Sequence, residues 1–413
     1  MTIQPACRLC NAPLDRVFVD LGMSPPSNAF LREDRLLASE VFHPLRVFVC
    51  ASCLLVQLPE HESAREIFGG EYLYFSSYSM SWLAHCERYA SHMIERFSLG
   101  KESLVVEVAS NDGYLLQYFA QAGVPVLGIE PAANVARVAR EERGIETVVD
   151  FFGARVAANL VAKGKRALLM AANNVLAHVP DIHDFVEGFR LLLMPGGVAT
   201  FEFPHLMRLM AENQFDTIYH EHFSYLSLFT ARRALAEHGL RVFDIDELPT
   251  HGGSLRLYVC HRDDPRGTGP AVDALAAREA QAGLDTLEAY RSFRPRVECI
   301  KRDLLAFLIE AARAGKKVAG YGAAAKGNTL LNYCGIREDL LSFVVDRSPH
   351  KQGLHLPGTH VAVHAPEHVF DARPDYLLIL PWNLKAEIIE QMAGIRQWGG
   401  KFIVPIPALE VIA

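Results

Sequence analysis

The sequence predicts an α/β protein with a small metal-binding unit at its N-terminus, a central doubly wound unit and a smaller doubly wound unit at its C-terminus. Three observations predict this class: two cysteine pairs early in the chain, strand and helix patterns that alternate from residue 104 to about 262, and a second alternation that begins at 317. Strands that alternate with helices are typical of a parallel sheet covered by helices. With 413 residues, half of them apolar, the chain is long enough for two or three buried cores.

These patterns divide the chain into four segments. They are 1–70 for the metal-binding unit, 71–265 for the central unit with a helical lead-in, 266–315 for two linking helices broken near Arg294 and Pro295, and 316–413 for the C-terminal unit. The predicted strands of the two doubly wound units are 104–108, 124–129, 146–149, 167–172, 198–203, 317–321, 341–345 and 376–380.

Composition excludes several classes of function. The net charge is −7, with 41 basic and 48 acidic residues and no long run of either sign, which is not the electrostatic footprint of a nucleic-acid-binding protein. No uninterrupted apolar run approaches 18 residues, and no basic region leads into an apolar stretch at the N-terminus. We therefore expect a cytoplasmic protein without membrane or nucleic-acid partners, as a monomer or small homo-oligomer.

Two cysteine pairs predict a structural zinc site. Cys7 and Cys10 are separated by two residues, as are Cys50 and Cys53, and four thiolates complete the tetrahedral ligand set that structural Zn²⁺ prefers. Four unpaired buried cysteines are the alternative. Such a site has no open coordination position, so we expect it to hold the small unit together without a catalytic role. The other four cysteines lie in apolar contexts and are expected in the core: Cys86, Cys260, Cys299 and Cys334.

The first two strands of the central unit predict an S-adenosylmethionine site. The first strand ends in the turn Asn111-Asp112-Gly113, and the second ends in the acid Glu130, which is the position that takes a ribose in a doubly wound sheet. The turn lacks the glycine spacing of a dinucleotide fingerprint, and an acid suits a cationic sulfonium better than a pyrophosphate. A ligand-free polar turn is the alternative. The cofactor-binding candidates at these strand ends are Glu107, Asn111, Asp112, Gly113, Glu130, Asp150, Phe151 and Asn173.

The segment 215–225 carries the candidate catalytic residues. His222 or His220 is a candidate general base, because imidazole titrates near neutral pH, and Glu221 is a candidate to orient it. The competing interpretations are a metal site built on the two histidines and a structural loop with hydrogen-bonded histidines. His178 follows a strand end and is expected to face the same cleft, and His251 precedes two glycines that give the backbone freedom.

A glycine-containing loop at residues 320–328 predicts an anion site in the C-terminal unit. The loop follows a strand and opens a helix, so backbone N–H groups and the helix start favour an anion, and Lys326 adds a full positive charge. A phosphate or pyrophosphate of the substrate fits this pattern best. NAD is the second choice, because Ala325 replaces the third glycine of its fingerprint, and a turn without a ligand is the remaining alternative.

Taken together, these residues resemble the sugar C-methyltransferases that act on nucleotide-linked ketodeoxysugars. The resemblance covers nearly the whole chain. It rests on the four cysteines, the Asn111 turn, the aromatic segment 72–78, His178-Val-Pro180, Glu221-His222-Phe223, His251-Gly-Gly253, and Gly320-Tyr-Gly322 with Lys326. It implies a zinc-binding domain, a class I methyltransferase domain with a Rossmann-like fold, a Rossmann-like C-terminal domain, and a thymidine-diphosphate (TDP) sugar held between them.

The resemblance also implies roles for individual residues. His222 corresponds to a base that removes the proton beside the ketone, Glu221 would fix its imidazole, and Tyr74 corresponds to a tyrosine near the keto oxygen. Ala109 stands where glycine is common in the family. The substrate-binding candidates are Tyr74, His178, Tyr219, His220, His251, Tyr321, Lys326 and Asn328, with Tyr219 and His178 also counted in the catalytic set.

The function predicted from the sequence is therefore C-methylation at C-3' of a TDP-linked 4-keto deoxysugar. Deprotonation would give an enolate, which would take the methyl group from S-adenosylmethionine. Three alternatives remain open: a nicotinamide-dependent nucleotide-sugar oxidoreductase, an O- or N-methyltransferase on a nucleotide sugar, and a zinc-ribbon interaction protein that carries an inactive methyltransferase fold.

Overall fold

Three β-sheets organise the chain in the computed structural model, which describes residues 5–63, 65–66 and 75–413. A four-stranded sheet lies in the N-terminal unit, a seven-stranded sheet in the central unit and a six-stranded sheet in the C-terminal unit. Helices cover the two larger sheets, as the sequence predicts for an α/β protein. Within the described residues, no helix combines the length and the hydropathy needed to cross a bilayer.

The N-terminal sheet is antiparallel and takes its last strand from the central part of the chain. Strands β1 (Arg16–Ser24), β2 (His43–Val49) and β3 (Val56–Gln57) pair in that order, and β3 then pairs with β9 (Ser224–Tyr225). The register places Val56 opposite Tyr225. The sheet therefore extends beyond the first 70 residues and is hydrogen-bonded to the end of the histidine-bearing segment 215–225.

The seven-stranded sheet has the order β10-β11-β8-β7-β4-β5-β6, in which only β11 runs antiparallel to its neighbours. Its strands are β4 (Val105–Val108), β5 (Val126–Ile129), β6 (Thr147–Val148), β7 (Ala167–Asn173), β8 (Leu193–Pro204), β10 (Leu240–Leu248) and β11 (Ser254–His261). All four residues of the central strand β4 are buried because helices cover both faces of the sheet. The carboxyl ends of β4, β5 and β7 meet at one edge, where ligands of doubly wound sheets bind.

Two strands of this sheet are absent from the sequence prediction. The predicted strands of the central unit end at residue 203, whereas β10 and β11 form an antiparallel pair that joins the sheet through β8. Strand β11 is buried along nearly its whole length, so its polar residue Arg256 breaks the apolar pattern by which a buried strand is recognised. Its place in the sheet depends on pairing with β8, which local sequence does not reveal.

The helical lead-in predicted before the central sheet is present as α1 (Met80–Phe97). Ser79 caps its N-terminus by accepting a hydrogen bond from the Trp82 N–H, and Ser98 ends it in the left-handed conformation. The hydroxyl groups of Tyr89 and Thr200 lie 2.6 Å apart, which fixes the helix against β8. The helices that follow in the central unit are α2 (Leu116–Gln121), α3 (Ala133–Arg143), α4 (Ala154–Ala162), α5 (Ile182–Leu192), α6 (Leu206–Ala211) and α7 (Leu228–Glu237).

Three helices, rather than the two predicted, link the central and C-terminal units. They are α8 (Pro270–Gln281), α9 (Leu287–Arg291) and α10 (Phe293–Arg313). The break predicted near Arg294 and Pro295 lies at Ser292, between α9 and α10, because Pro295 fits the first turn of α10, where the N–H that proline lacks has no helical partner.

The C-terminal sheet has the order β14-β13-β12-β15-β16-β17 and is parallel except for its last strand. Its strands are β12 (Val318–Tyr321), β13 (Val344–Val345), β14 (Val363–His364), β15 (Tyr376–Ile379), β16 (Lys401–Val404) and β17 (Glu410–Ile412), and its helices are α11 (Ala325–Cys334), α12 (His368–Ala372) and α13 (Lys385–Gln391). Lys326 lies on the segment that follows β12, and Trp382 lies on the segment that follows β15. Both segments leave the carboxyl ends of their strands on the side of the sheet that faces the central unit.

Candidate functional site

Four cysteine thiols converge in the N-terminal unit. The sulfur atoms of Cys7, Cys10, Cys50 and Cys53 all lie within 4.8 Å of one another. Each pair sits in the same tight turn, in which the N–H after the second cysteine donates to the carbonyl oxygen of the first, at 2.8 Å for Asn11 and 2.9 Å in the second turn. Two matched turns that aim four sulfur atoms at one point suit tetrahedral Zn²⁺.

The surroundings of this centre support a structural metal. Three of its four cysteines are fully buried, and the Gln57 amide donates to the Cys7 sulfur over 3.0 Å, as outer-shell groups do at metal sites. The four thiolates would fill the coordination sphere of Zn²⁺ and leave no position for a substrate. Of the remaining cysteines, Cys299 is exposed, which corrects its predicted place in the core, whereas Cys86, Cys260 and Cys334 are buried.

The turn after β4 adopts a backbone that most residues avoid. Ala109, Asn111 and Gly113 all have positive φ angles, of 55°, 49° and 78°. This explains why glycine is common at the position of Ala109 in the resembling family, since a residue with a Cβ is strained there. The turn also passes close to β5, where a Cβ on Gly128 would meet the Ser110 hydroxyl oxygen at 2.4 Å. The backbone therefore folds back tightly beside the two strand ends.

Glu130 holds this turn from the end of β5. One carboxylate oxygen accepts from the Asn111 N–H at 2.9 Å, and the other accepts from the Ala132 N–H at 2.8 Å. Burial raises the pKa of Glu130 to about 7, although both N–H groups oppose that shift. The carboxylate thus lies at the strand end where a ribose is expected, already positioned by two backbone donors.

Two further acids lie beside the turn. Glu107 is completely buried, and burial raises its pKa well above the ordinary value, with Asp112 and Glu130 raising it further and Tyr114 lowering it. The Asp112 carboxylate accepts a hydrogen bond from the Ser77 hydroxyl and lies 3.6 Å from the Arg143 guanidinium. Burial thus favours the neutral forms of Glu107 and Glu130, and a sulfonium cation bound beside the turn would favour their ionised forms, because a nearby positive charge lowers the pKa of a carboxyl group.

The segment that precedes α1 contacts this turn directly. The Asn111 side-chain oxygen accepts from the Ser76 N–H at 3.0 Å, next to the contact between Ser77 and Asp112. At its other end, Tyr78 lies 3.1 Å from the His350 ring nitrogen of the C-terminal unit. The segment therefore connects the candidate cofactor loop with the C-terminal unit. Tyr74, a predicted catalytic and substrate-binding residue, lies outside the described residues.

The remaining cofactor-binding candidates lie at the same edge of the sheet. Asp150 follows β6, and its carboxylate accepts from the Phe151 N–H at 2.9 Å and from the Arg155 guanidinium at 2.8 Å. Asn173 ends β7 with a buried side chain. These positions are compatible with an expected adenosine site at the strand ends, but the partner of the Asp150 carboxylate is Arg155, in the first turn of α4.

His222 is held in a defined tautomer. Its Nδ1 lies 2.7 Å from the Thr217 carbonyl oxygen, which only accepts, so Nδ1 carries the proton. Nε2 therefore has a free electron pair and accepts from the Tyr219 hydroxyl at 2.8 Å. Burial lowers the pKa of His222 well below its ordinary value, with His178 and the positive charge of Lys326 lowering it further. The imidazole is neutral and presents a basic nitrogen beside Tyr219.

His178 completes a pair of neighbouring imidazoles. Its ring packs edge-on against His222 with 4.5 Å between the ring centres. Burial lowers the pKa of His178 to about 4, whereas the Glu221 backbone raises it. The structure thus brings together His178, Tyr219 and His222, as the sequence predicts.

Glu221 and His220 face away from this pair, toward the N-terminal unit. The Glu221 carboxyl accepts from the Asn28 amide at 2.5 Å, and burial raises its pKa to about 7. Its predicted role in orienting the base is filled instead by the Thr217 carbonyl. The His220 ring contacts His43 and His61, with ring centres 5.7 and 6.2 Å apart. The structure therefore separates the two candidate bases, which the sequence left open.

Lys326 faces the histidines from the C-terminal unit. Its ammonium group lies 3.4 Å from the His251 carbonyl oxygen, 3.3 Å from the Asn383 side-chain oxygen, and 4.7 Å from the centre of the Trp382 ring. Burial lowers the pKa of Lys326, and Asp216 raises it. Burial also lowers the pKa of His251 to about 4, assisted by Lys326. A cation and a neutral base therefore lie in the same cleft between the two larger units.

Asp216 and Trp382 are functional candidates that the sequence reasoning missed. The Trp382 indole N–H donates to the Asp216 carboxylate at 2.7 Å, and burial raises the pKa of Asp216 to about 6 against the opposing effects of Lys326 and Trp382. Gly252 permits this packing, because a Cβ there would meet the Trp382 ring at 2.4 Å. The sequence offered a signal for each residue. Asp216 lies within the histidine-rich segment 215–225, and Trp382 follows the end of a predicted strand, where ligand-binding residues of parallel sheets lie.

The loop after β12 differs from the predicted anion cradle. Its backbone donors are used internally: the Gly322 N–H donates to the Val345 carbonyl at 2.7 Å, and the Ala323 N–H donates to the Asp346 carboxylate at 2.8 Å. The Tyr321 hydroxyl donates to Gln391 at 2.7 Å, and the Asn328 side chain is buried against Asn332. The Asp346 carboxylate thus occupies part of the loop where the sequence predicts a bound anion. Positive charge in this region comes from Lys326 and from Lys351, whose ammonium group donates to the Ala323 carbonyl at 2.8 Å.

A buried ion pair supports the loop that carries His251. Glu202, at the end of β8, accepts from Arg256 at 2.6 Å and from the Thr250 hydroxyl at 3.0 Å, and His85 lies 3.2 Å away. Although burial alone would raise it, the pKa of Glu202 falls to about 2, because His85 and Arg256 favour the charged form. Trp82 stacks on His85 and packs edge-on against His251. The contacts among Glu202, His85 and Trp82 therefore link the end of β8 to His251.

Comparisons with known proteins agree with this architecture. Family models match for a zinc binding domain over residues 7–68, a methyltransferase domain over 82–245 and a C-methyltransferase C-terminal domain over 249–407. The chain is 37% identical over 407 residues to the C-methyltransferase NovU of Streptomyces niveus, across 98% of this chain and 96% of NovU.

Two more distant similarities cover the central unit or part of the chain. The ubiquinone biosynthesis O-methyltransferase of Methylobacterium sp. (strain 4-46) is 34% identical over 110 residues, across 25% of this chain and 43% of that protein. The magnesium protoporphyrin IX methyltransferase of Synechocystis PCC 6803, solved with bound S-adenosylmethionine, aligns with a TM-score of 0.32 at 16% identity. That alignment covers 47% of this chain and 88% of the other.

Proposed function

The chain belongs to the S-adenosylmethionine-dependent C-methyltransferase family, and on that premise we propose that it methylates C-3' of a TDP-linked 4-keto deoxysugar. The observation that carries the proposal is the neutral His222 imidazole. Its Nε2 faces the Tyr219 hydroxyl while Lys326 supplies a positive charge in the same cleft. This is the set of groups that formation of an enolate requires.

A carbon atom needs these groups because it becomes nucleophilic only after it loses a proton. The carbon beside a ketone is acidic enough for an imidazole base when the developing oxyanion is stabilised. S-adenosylmethionine, when bound, supplies the electrophilic methyl group. The enzyme must therefore remove a proton, stabilise an enolate and hold both reactants in line.

We assign proton removal to His222. The Thr217 carbonyl holds Nδ1–H, so Nε2 is the nitrogen that would accept the substrate proton. In the substrate-free structure Tyr219 donates to that nitrogen, and a bound sugar would take the place of this contact. His178 packs against the ring and keeps it in place, while Tyr219 remains close enough to contact the sugar.

We assign stabilisation of the enolate to Lys326. The sequence alone favoured a remote phosphate contact, but Lys326 lies 3.4 Å from the His251 carbonyl oxygen, and its positive charge lowers the pKa of both His222 and His251. Burial favours the neutral amine of Lys326, and the nearby Asp216 carboxylate opposes this by raising the pKa of Lys326. A buried cation near the base favours the negative charge that develops on the keto oxygen.

We assign the cofactor to the turn after β4. Glu130 would take the ribose hydroxyl groups, Asp112 would favour the sulfonium charge, and the buried Glu107 would ionise more readily once that charge is bound. Glu107, Asn111, Gly113, Asp150, Phe151 and Asn173 remain our candidates for the rest of this site.

The proposal is tested by product analysis. The purified protein is incubated with methyl-labelled S-adenosylmethionine and a small panel of TDP-linked 4-keto sugars, and the labelled carbon is located by NMR. We expect a new carbon–carbon bond at C-3' and, in a separate incubation in heavy water with S-adenosylhomocysteine in place of the methyl donor, exchange of the C-3' proton for deuterium. Label on an oxygen or nitrogen atom of the sugar, or transfer to none of the panel, would contradict the proposal.

Replacing Glu130 with glutamine tests the cofactor assignment. The amide group would place an N–H against one of the two backbone donors, and the charge on the ribose contact would be lost. A hydrogen bond to a charged group is worth about 1.5–3 kcal/mol, so we expect about a 10- to 100-fold weaker affinity for S-adenosylhomocysteine by calorimetry. Glu146→Gln, an exposed acid paired with Lys165, is the matched control and should bind normally. Equal affinity in both variants would argue against the assignment.

Replacing Lys326 with methionine tests the role of its charge. If the cation stabilises the enolate, kcat should fall about 100-fold while KM changes little, because the interaction is made chiefly in the transition state. Lys385→Met removes an exposed lysine of the same unit, paired with Glu410, and should leave both constants unchanged. A raised KM with normal kcat would return Lys326 to the phosphate contact that the sequence favoured.

A further inference from the structure

Arg8 links the four-cysteine centre to the loops that carry the histidine pair. It lies between Cys7 and Cys10, and its guanidinium donates to the Pro180 carbonyl at 2.9 Å and to the Leu58 carbonyl at 2.5 Å. The same group lies over the Phe223 ring, 5.2 Å from its centre. One side chain thus contacts the N-terminal unit and two separate loops of the central unit.

These two loops are the ones that position the candidate base. Pro180 lies two residues after His178, and Phe223 directly follows His222. The loops are also joined to each other, because the Phe223 N–H donates to the Ala177 carbonyl at 2.7 Å. The Leu58 N–H in turn donates to the Phe223 carbonyl at 3.0 Å. Arg8 therefore lies in a region where both histidine loops meet the N-terminal unit.

The other end of Arg8 is tied to the metal-ligand turn. Its backbone N–H donates to the Gln57 side-chain oxygen at 2.9 Å, while the Gln57 amide donates to the Cys7 sulfur at 3.0 Å. Gln57 also lies opposite Ser224 in the pairing of β3 with β9. The cysteine centre, β3 and the histidine segment are thus one continuous hydrogen-bonded unit.

We propose that Arg8 is a positioning residue through which the four-cysteine centre sets the geometry of the His178 and His222 pair. The proposal rests on the assignment of His222 as the base. Only a planar guanidinium can donate to two diverging carbonyls while its face covers an aromatic ring, so lysine cannot replace it. Because misplacement by about 1 Å costs on the order of 100-fold in rate, a metal centre without catalytic chemistry still acts on the reaction.

The test compares Arg8→Lys with Arg16→Lys, which changes an exposed arginine of the same unit that pairs with Asp15. Zinc content, thermal unfolding and cofactor affinity are measured first, and we expect both variants to match the unchanged protein. In Arg8→Lys we then expect kcat to fall about 10- to 100-fold with little change in KM. Arg16→Lys should retain full turnover.

A second measurement needs no substrate. Diethyl pyrocarbonate modifies neutral imidazoles whose nitrogen becomes accessible, and peptide mass spectrometry reports each histidine separately. We expect His222 and His178 to react about tenfold faster in Arg8→Lys, since their local opening becomes easier, while His85 reacts as before. Gentle removal of zinc from the unchanged protein should accelerate the same two histidines.

The outcomes separate this proposal from the function on which it rests. Unchanged reactivity of His222 in the zinc-loaded Arg8→Lys variant would overturn the proposal, as would loss of zinc or of folding from that substitution, which would make Arg8 a residue of the metal unit alone. Faster modification with normal kcat would support the coupling and refute His222 as the base. Faster modification with reduced kcat supports both.

Discussion

Replacing His222 with asparagine is expected to reduce methyl transfer by about 10³- to 10⁴-fold. General base catalysis contributes about 10²- to 10⁴-fold, and no second group among the described residues shares the position of Nε2 beside Tyr219. Asparagine retains a polar side chain that can reach the Thr217 carbonyl, so the loop should fold normally. Binding of S-adenosylhomocysteine, measured by calorimetry, should be unchanged because the turn after β4 is a separate structure.

His220→Asn is the matched control for this prediction. His220 lies two residues away and contacts His43 and His61, so its replacement should affect turnover far less. Exchange of the C-3' proton should disappear in His222→Asn and persist in His220→Asn. Because burial keeps the pKa of His222 well below its ordinary value of 6.5, its protonation should not reduce turnover at or above that pH. Normal proton exchange in His222→Asn would exclude it as the base.

Replacing Arg256 with methionine is expected to lower the free energy of unfolding by about 3–5 kcal/mol, because it leaves the Glu202 carboxylate buried without its main cation. Both side chains are almost entirely buried, at 5% and 0% exposure, so water cannot compensate. Urea unfolding monitored by fluorescence measures the change. Arg278→Met breaks an exposed pair with Glu247 and should cost less than about 1 kcal/mol.

The pH dependence of this variant gives an independent check. In the unchanged protein the pKa of Glu202 is about 2, below the ordinary value of 4.5, so its contribution to stability is complete above that value and is lost as the pH falls toward 2. Without Arg256, burial favours the neutral acid, so lowering the pH should relieve part of the penalty. The double variant Glu202→Gln/Arg256→Met should be more stable than Arg256→Met. An equal loss at all pH values would show that packing, not charge, is responsible.

The features that the sequence predicted correctly depend on short spacings. Cysteines separated by two intervening residues form the same turn at Cys7 and at Cys50, and the turn at Asn111 follows directly from the end of a buried strand. Glu130 was recognisable because it ends the second strand. Such motifs can be identified because their geometry is set by neighbours in the chain.

The features that sequence reasoning missed depend on distant contacts. Strands β10 and β11 are recognised only through the pairing of β11 with β8. The contribution of Arg256 to stability depends on its ion pair with Glu202, 54 residues away. The hydrogen bond from Trp382 to Asp216 joins two residues that are 166 positions apart in the chain. The predicted anion cradle stays a prediction, and its geometry depends on a distant contact as well, because Asp346, which follows the next strand, accepts from the Ala323 N–H of the loop.

The amino-acid sequence alone determined the class of fold and the four-cysteine centre, and it predicted the turn that we assign to the cofactor and the segment that holds the candidate base. It did so because each of these features is recognised from particular residue types at short, regular intervals. Only the tertiary structure decided which histidine faces the cleft. A turn closed by the His222 N–H and the Tyr219 carbonyl directs His222 toward His178 and His220 toward the N-terminal unit. The direction of each histidine ring depends on how the units pack together. Each ring is buried by residues that are distant from it in the sequence.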